Sequence, residues 1–100
     1  MELEQLRQME AIERLGTISA AAEELHISQP ALSRSVQRLE AELGHPLFDR
    51  AKNRVAMNDV GHMVAKHAHS VLGEVQRLCD AVDEAARRSR ALKVGTCAPA

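Results

Sequence analysis

From Ser28 to Leu43 the sequence SQPALSRSVQRLEAEL gathers its apolar residues on one narrow side and leaves the other small, hydrogen-bonding and cationic. At about 100° per residue, Leu32, Val36, Leu39 and Leu43 fall within one stripe, which predicts a helix seated on a core through that stripe. Nearly opposite stand Pro30, Arg34, Gln37 and Ala41, flanked by Ser33 and Arg38. A merely solvated face carries a mixture of Glu and Lys, whereas these residue types suit the edges of base pairs. Arg bonds bidentately to guanine, Gln to adenine and Ser to either, while short Ser and Ala side chains allow close approach. Taken alone, the segment is equally well read as a surface helix with few charges in its first turns.

The preceding stretch, TISAAAEELHI, weighs the choice toward the first reading. Ser19 is the expected N-cap of a short helix in which Ala20, Ala21 and Ala22, followed by Leu25, let a second helix cross closely. The turn then runs through His26 and Ile27, Ser28 caps the next helix, and Pro30 lies in its first turn, where a missing N–H costs little. Two helices with so tight a connection form a helix-turn-helix. After Gly44, suited to a left-handed C-terminal cap, LFDR and RVAM read as two short strands around Ala51, Lys52 and Asn53. Phe48 is expected beneath the helices, with Arg50, Lys52 and Arg54 facing a nucleic-acid backbone. Without the preceding helices, the same segment reads as a solvated loop with incidental cations.

These residues carry a family resemblance. TISAAAEELHISQPALSRSVQRLEAELGHPLFDR followed by RVAMNDVG resembles the N-terminal DNA-binding domain of LysR-type bacterial transcription regulators, without a gap from about Leu3 to Gly61. Asn53 and Arg54 stand where that family commonly has a Gly and an additional basic residue, and Asn58 stands where it often has Thr. The resemblance implies a mainly α fold: a winged helix-turn-helix of three helices and a short β-hairpin over residues 1–58, then a long linker helix over 59–90. It also implies sequence-specific binding of double-stranded DNA by a dimer on an interrupted palindrome. Gln29, Pro30, Ser33, Arg34 and Gln37 would meet bases, and Ser28, Arg38, Arg50, Lys52 and Arg54 the backbone or minor groove.

The segment from Asp59 to Arg88 has its own pattern. Val64, Ala68, Val71, Val75, Leu78, Val82 and Ala85 follow at spacings of 4, 3, 4, 3, 4 and 3, a heptad seam with no proline in it. A helix of this length with that seam exposed is expected to pair with a second copy or to pack along its own domain. Leu72, Cys79 and Ala86 widen the stripe, which suggests contacts with both a partner helix and part of the winged domain. In the family this helix pairs antiparallel across a two-fold axis. Beyond it, ALKVGT reads as a short strand, and the resemblance makes residues 91–100 the start of an effector-sensing domain whose small-molecule site lies elsewhere.

Composition limits the other classes. One hundred residues bound a single small domain plus an extended element, too little for a large core or a buried cleft. Phe48 is the one aromatic residue, which argues against stacking on a series of single-stranded bases. The net charge of −1 conceals a division: residues 1–27 carry −4, residues 28–56 carry +2 and residues 57–100 carry +1, so the basic surplus falls on the recognition segment. With no long apolar run and no charged-then-apolar leader, a cytoplasmic protein is expected. His62, His67 and His69 form no ligand pair at helical spacing, Cys79 and Cys97 have no CxxC spacing, and no phosphate loop or nucleophile elbow is present. No metal, cofactor or catalytic role is expected. The competing class is a protein-interaction module in which the basic face is incidental.

Overall fold

The computed structural model describes residues 1–51 and 54–89. Lys52, Asn53 and the strand expected within residues 91–100 lie outside them. The element order is α1 (Leu3–Leu15), α2 (Ile18–Leu25), α3 (Gln29–Leu43), β1 (Phe48–Ala51), β2 (Arg54–Met57) and α4 (Asp59–Ser89).

Each short helix carries its own start and stop. Glu2 and Gln5 form a capping box on α1, and Gly16 ends it at φ 86°. The start of α2 differs from the sequence expectation: Thr17, not Ser19, is the N-cap, with its hydroxyl accepting from Ala20 N at 3.1 Å. The two hydroxyl residues are two positions apart, and capping by Thr17 begins the helix early enough to leave the Ser19 side chain for another partner. His26 ends α2 in the left-handed conformation at φ 58°, and Ile27 N donates to Ala22 O at 3.0 Å to close the turn. Ser28 caps α3 by accepting from Ala31 N at 3.2 Å, and Gly44 ends it at φ 76°.

The core is where α1, α2 and α3 meet over the base of the hairpin. Met9, Leu32, Val36, Leu39 and Leu47 are its largest fully buried side chains, joined by Ile12 and Phe48. Ala21 and Ala22 are at most 2% exposed, so the small methyl groups let α2 approach its neighbours closely, with Ile18 and Leu25 packing against the core at its two ends. Each fully buried Leu or Val contributes roughly 1.5–3 kcal/mol. Gln8 is the buried polar side chain among the described residues, and its Oε1 accepts from the Ser35 hydroxyl, joining α1 to α3. The hairpin is antiparallel, with Phe48 opposite Met57 and Ala51 opposite Arg54; Ala51 thus belongs to the ladder rather than to the turn.

Helix α4 is anchored at its start. Asn58 Oδ1 accepts from Gly61 N at 2.8 Å while its Nδ2 donates to Pro46 O at 3.1 Å. A Cβ on Gly61 would stand 2.2 Å from Leu47 O, so only glycine allows this approach. The chain divides into compact units Met1–His69 and Ser70–Ala100, and α4 contributes to both. Within the first unit Ala65 and Ala68 are 1% exposed and Val64 packs against the core. Of the expected seam, Ala68 is therefore covered and Val64 partly covered within their own domain, because a periodic seam does not state what covers each position. Within the second unit Val71 is 41% and Leu78 61% exposed, Ala85 is exposed, and Val75 and Val82 are half-buried.

Candidate nucleic-acid interface

The face of α3 opposite Leu32, Val36 and Leu39 is open to solvent. Pro30, Arg34, Gln37, Arg38 and Ala41 are exposed and Ser33 is half-buried. Among the described residues neither Arg34 nor Arg38 makes a side-chain hydrogen bond or ion pair, which leaves their guanidinium donors available. Two of the expected contact residues are already engaged. Ser28 holds the α3 cap, although its hydroxyl proton is still free to be donated. Gln29 Nε2 donates to Ser19 Oγ at 3.1 Å, across the turn of the two-helix unit.

That bond brings the start of α2 into the site. Thr17, Ser19, Gln29 and Ser33 line a cleft of about 600 Å³ together with Glu13, Phe48, Met57 and His62. The cleft lies at the N-termini of both α2 and α3, where unpaired backbone N–H groups and the helix dipoles favour negative charge. His62 Nδ1 lies 2.9 Å from Glu13 Oε2. Thr17 and Ser19 line this cleft, a placement that the sequence expectation of Ser19 as a cap does not contain. The signal that could have found them is the pair of hydroxyl residues at the start of a short helix ten residues before Gln29.

The wing enters through Arg50. Its Nη2 donates to Glu40 Oε1 at 3.4 Å, while Glu40 Oε2 accepts from Leu47 N at 2.7 Å. One carboxylate on α3 therefore touches both the approach to β1 and a side chain of β1. Of the other expected wing cations, Lys52 lies outside the described residues, and Arg54 opens β2. Among the described residues no group of three His, Cys, Asp or Glu could hold a metal ion, and no helix is long and apolar enough to cross a membrane.

Residues 3–62 match the family described as bacterial regulatory helix-turn-helix protein, lysR family. The chain is 42% identical over 82 residues to a "Probable RuBisCO transcriptional regulator" of Emiliania huxleyi, an alignment covering 82% of this chain and 26% of that protein. The chain thus spans about a quarter of the length of the curated relatives it matches. Among solved structures it is similar to the BenM_DBD/benA site 1 DNA complex, with a TM-score of 0.80 and 35% identity over 86% of this chain and 97% of that one. The CbnR_DBD–DNA complex is similar at a TM-score of 0.79 and 36% identity, over 86% of this chain and 99% of that one. Four helices with a two-stranded hairpin before the long last helix are thus the architecture of a winged helix-turn-helix domain.

Proposed function

The chain belongs to the bacterial regulatory helix-turn-helix family of LysR, a family of transcription regulators rather than enzymes, and from that premise we propose that it reads double-stranded DNA by laying α3 in a major groove. The observation that carries the reading is the outward face of α3. Arg34, Gln37 and Arg38 stand exposed beside Pro30 and Ala41, with the apolar stripe turned inward and sealed in the core. In this reading Gln29, Pro30, Ser33, Arg34 and Gln37 meet base edges, and the two arginines add charge to a segment whose balance is +2. Ser28, Arg38, Arg50, Lys52 and Arg54 serve the backbone or the adjoining minor groove. Thr17 and Ser19 join them, because they share a cleft with Gln29 and Ser33 at two helix N-termini. BenM and CbnR domains of similar fold have structures with DNA, which supports the same mode here.

The protein acts as a homodimer through α4, on an interrupted palindrome whose half-sites the paired helices space. The support is the part of the seam beyond the winged domain, where Val71, Leu78 and Ala85 are exposed and Val75 and Val82 half-buried on a helix that is the one described element of its unit. Residues 1–58 are the reader, 59–90 the linker and 91–100 the opening of an effector-binding domain that takes a small molecule. The setting is the cytoplasm, and higher oligomers form in the full-length regulator.

Fluorescence anisotropy with an interrupted palindrome and a scrambled duplex, over a series of stated salt concentrations, tests the DNA reading. A sequence preference of 10³-fold or more is the ordinary range for such readers. Equal affinity for the two duplexes, or none for either, would remove DNA reading as the function and leave a protein-interaction module.

A further inference from the structure

Glu40 lies at the joint between the recognition helix and the wing, and both of its carboxylate oxygens are engaged. Oε2 accepts from Leu47 N at 2.7 Å and Oε1 from Arg50 Nη2 at 3.4 Å. Its own carbonyl accepts from Gly44 N at 2.8 Å and from His45 N at 3.2 Å. The side chain is 11% exposed, whereas that of Arg50 is 48% exposed. The carboxylate is thus fixed by backbone on the inner side and touches the guanidinium from behind, at one point. An arginine has five donors in a rigid planar fork, so a single long contact through one nitrogen leaves the others facing solvent.

We propose that Glu40 is the positioning residue of the wing: it holds Arg50 by one edge so that the remaining donors are presented, already oriented, to a phosphate of DNA bound by α3. The inference rests on the proposed DNA reading and deepens it. The physical gain is conformational. A free arginine side chain gives up rotamer freedom when it binds a phosphate, and a side chain held beforehand gives up less. A competing carboxylate would act in the opposite sense, but Glu40 is pinned by Leu47 N and its contact to Arg50 is too long to occupy the fork.

The test is a double-mutant cycle on DNA affinity, read by anisotropy on cognate and scrambled duplexes with melting temperatures measured alongside. Glu40→Gln keeps an acceptor for Leu47 N and removes the charge, and it should weaken binding to both duplexes by about two- to fivefold. Arg50→Met should weaken both and lower the salt slope by about one unit, and Glu40→Gln added to it should change nothing further. Tighter binding by Glu40→Gln, no change on Glu40→Gln, or the same loss with and without Arg50→Met overturns the positioning role. An unchanged affinity and salt slope in Arg50→Met instead removes Arg50 from the DNA, a failure of the underlying reading at the wing. Should Glu40→Gln melt below the assay temperature, Arg50→Lys carries the test. It retains the charge without the second edge, so about a two- to fivefold loss at unchanged slope is expected, and wild-type affinity overturns the proposal.

Discussion

Arg34 stands exposed near the middle of the outward face of α3, its donors not held by another described side chain. Arg34→Ala should therefore remove sequence discrimination: loss of a bidentate base contact costs roughly 1–3 kcal/mol on the cognate duplex and far less on a scrambled one. Competition titrations with the two duplexes measure that ratio, and a variant that keeps its preference takes Arg34 out of the reading set. Gly61 is the second sharp position. In most helix interiors Gly→Ala gains about 1 kcal/mol, but here the added methyl meets Leu47 O at 2.2 Å and Met57 Cγ at 2.5 Å. Because backbone must move, Gly61→Ala should lose about 1–3 kcal/mol net and lower the thermal midpoint by several degrees in a circular-dichroism melt. A raised midpoint would mean that α4 leaves the hairpin more loosely. Individual residues were legible where their signal is local: Ser28 and Gly44 act within four residues of themselves as caps. Glu40 was not legible, since its partners at positions 47 and 50 are brought to it by a loop whose path no spacing announces.

Elements were readable where periodicity meets a boundary residue, as in α3, whose stripe of Leu32, Val36 and Leu39 is buried as the spacing requires. Periodicity says less about which element covers a stripe. Val64 and Ala68 obey the same heptad as Val71 and Leu78 yet pack in the domain core. The start of α2 was ambiguous because Thr17 and Ser19 are chemically alike, and only the observed bonds to Ala20 N and Gln29 Nε2 separate their roles. The pairing of α1 with α2 has a titratable link: Arg14 hydrogen-bonds Glu24, which holds the Glu24 carboxyl below its ordinary value and raises the Arg14 guanidinium. A carboxyl lowered by folding adds stability that is complete above its unfolded value of 4.5 and is lost as pH falls through the folded one. Glu24→Gln should therefore flatten part of the acid limb of stability below pH 4.5, by a small amount, since the pair is exposed. Urea titrations at pH 7 and in the acid range compare the two proteins; parallel acid limbs would show that this link adds nothing.

Over these hundred residues the charge is nearly balanced, at −1, which makes long-range attraction to DNA weak, and in the proposed reading affinity depends on joining two readers. Val75→Glu combined with Leu78→Glu places like charges in the heptad stretch of α4 beyond Val71 and removes two apolar contacts per chain, each worth roughly 1.5–3 kcal/mol if fully buried. The double variant should be monomeric at micromolar concentration in sedimentation equilibrium, with its winged domain still folded. Its affinity should fall steeply for a two-half-site duplex and little for a single half-site. A variant that remains dimeric would place the interface elsewhere. Ala65 and Ala68 at 1% exposure and Leu78 at 61% belong to the same continuous helix, and that contrast has a temporal counterpart. Amide protons around Ala65 should exchange with deuterium only when the domain opens as a whole, while those beyond Val71 in the dilute protein escape through local fraying. Raising the protein concentration should slow the second group and leave the first alone, so one α-helix would keep two clocks, with the change of rate falling near Val71.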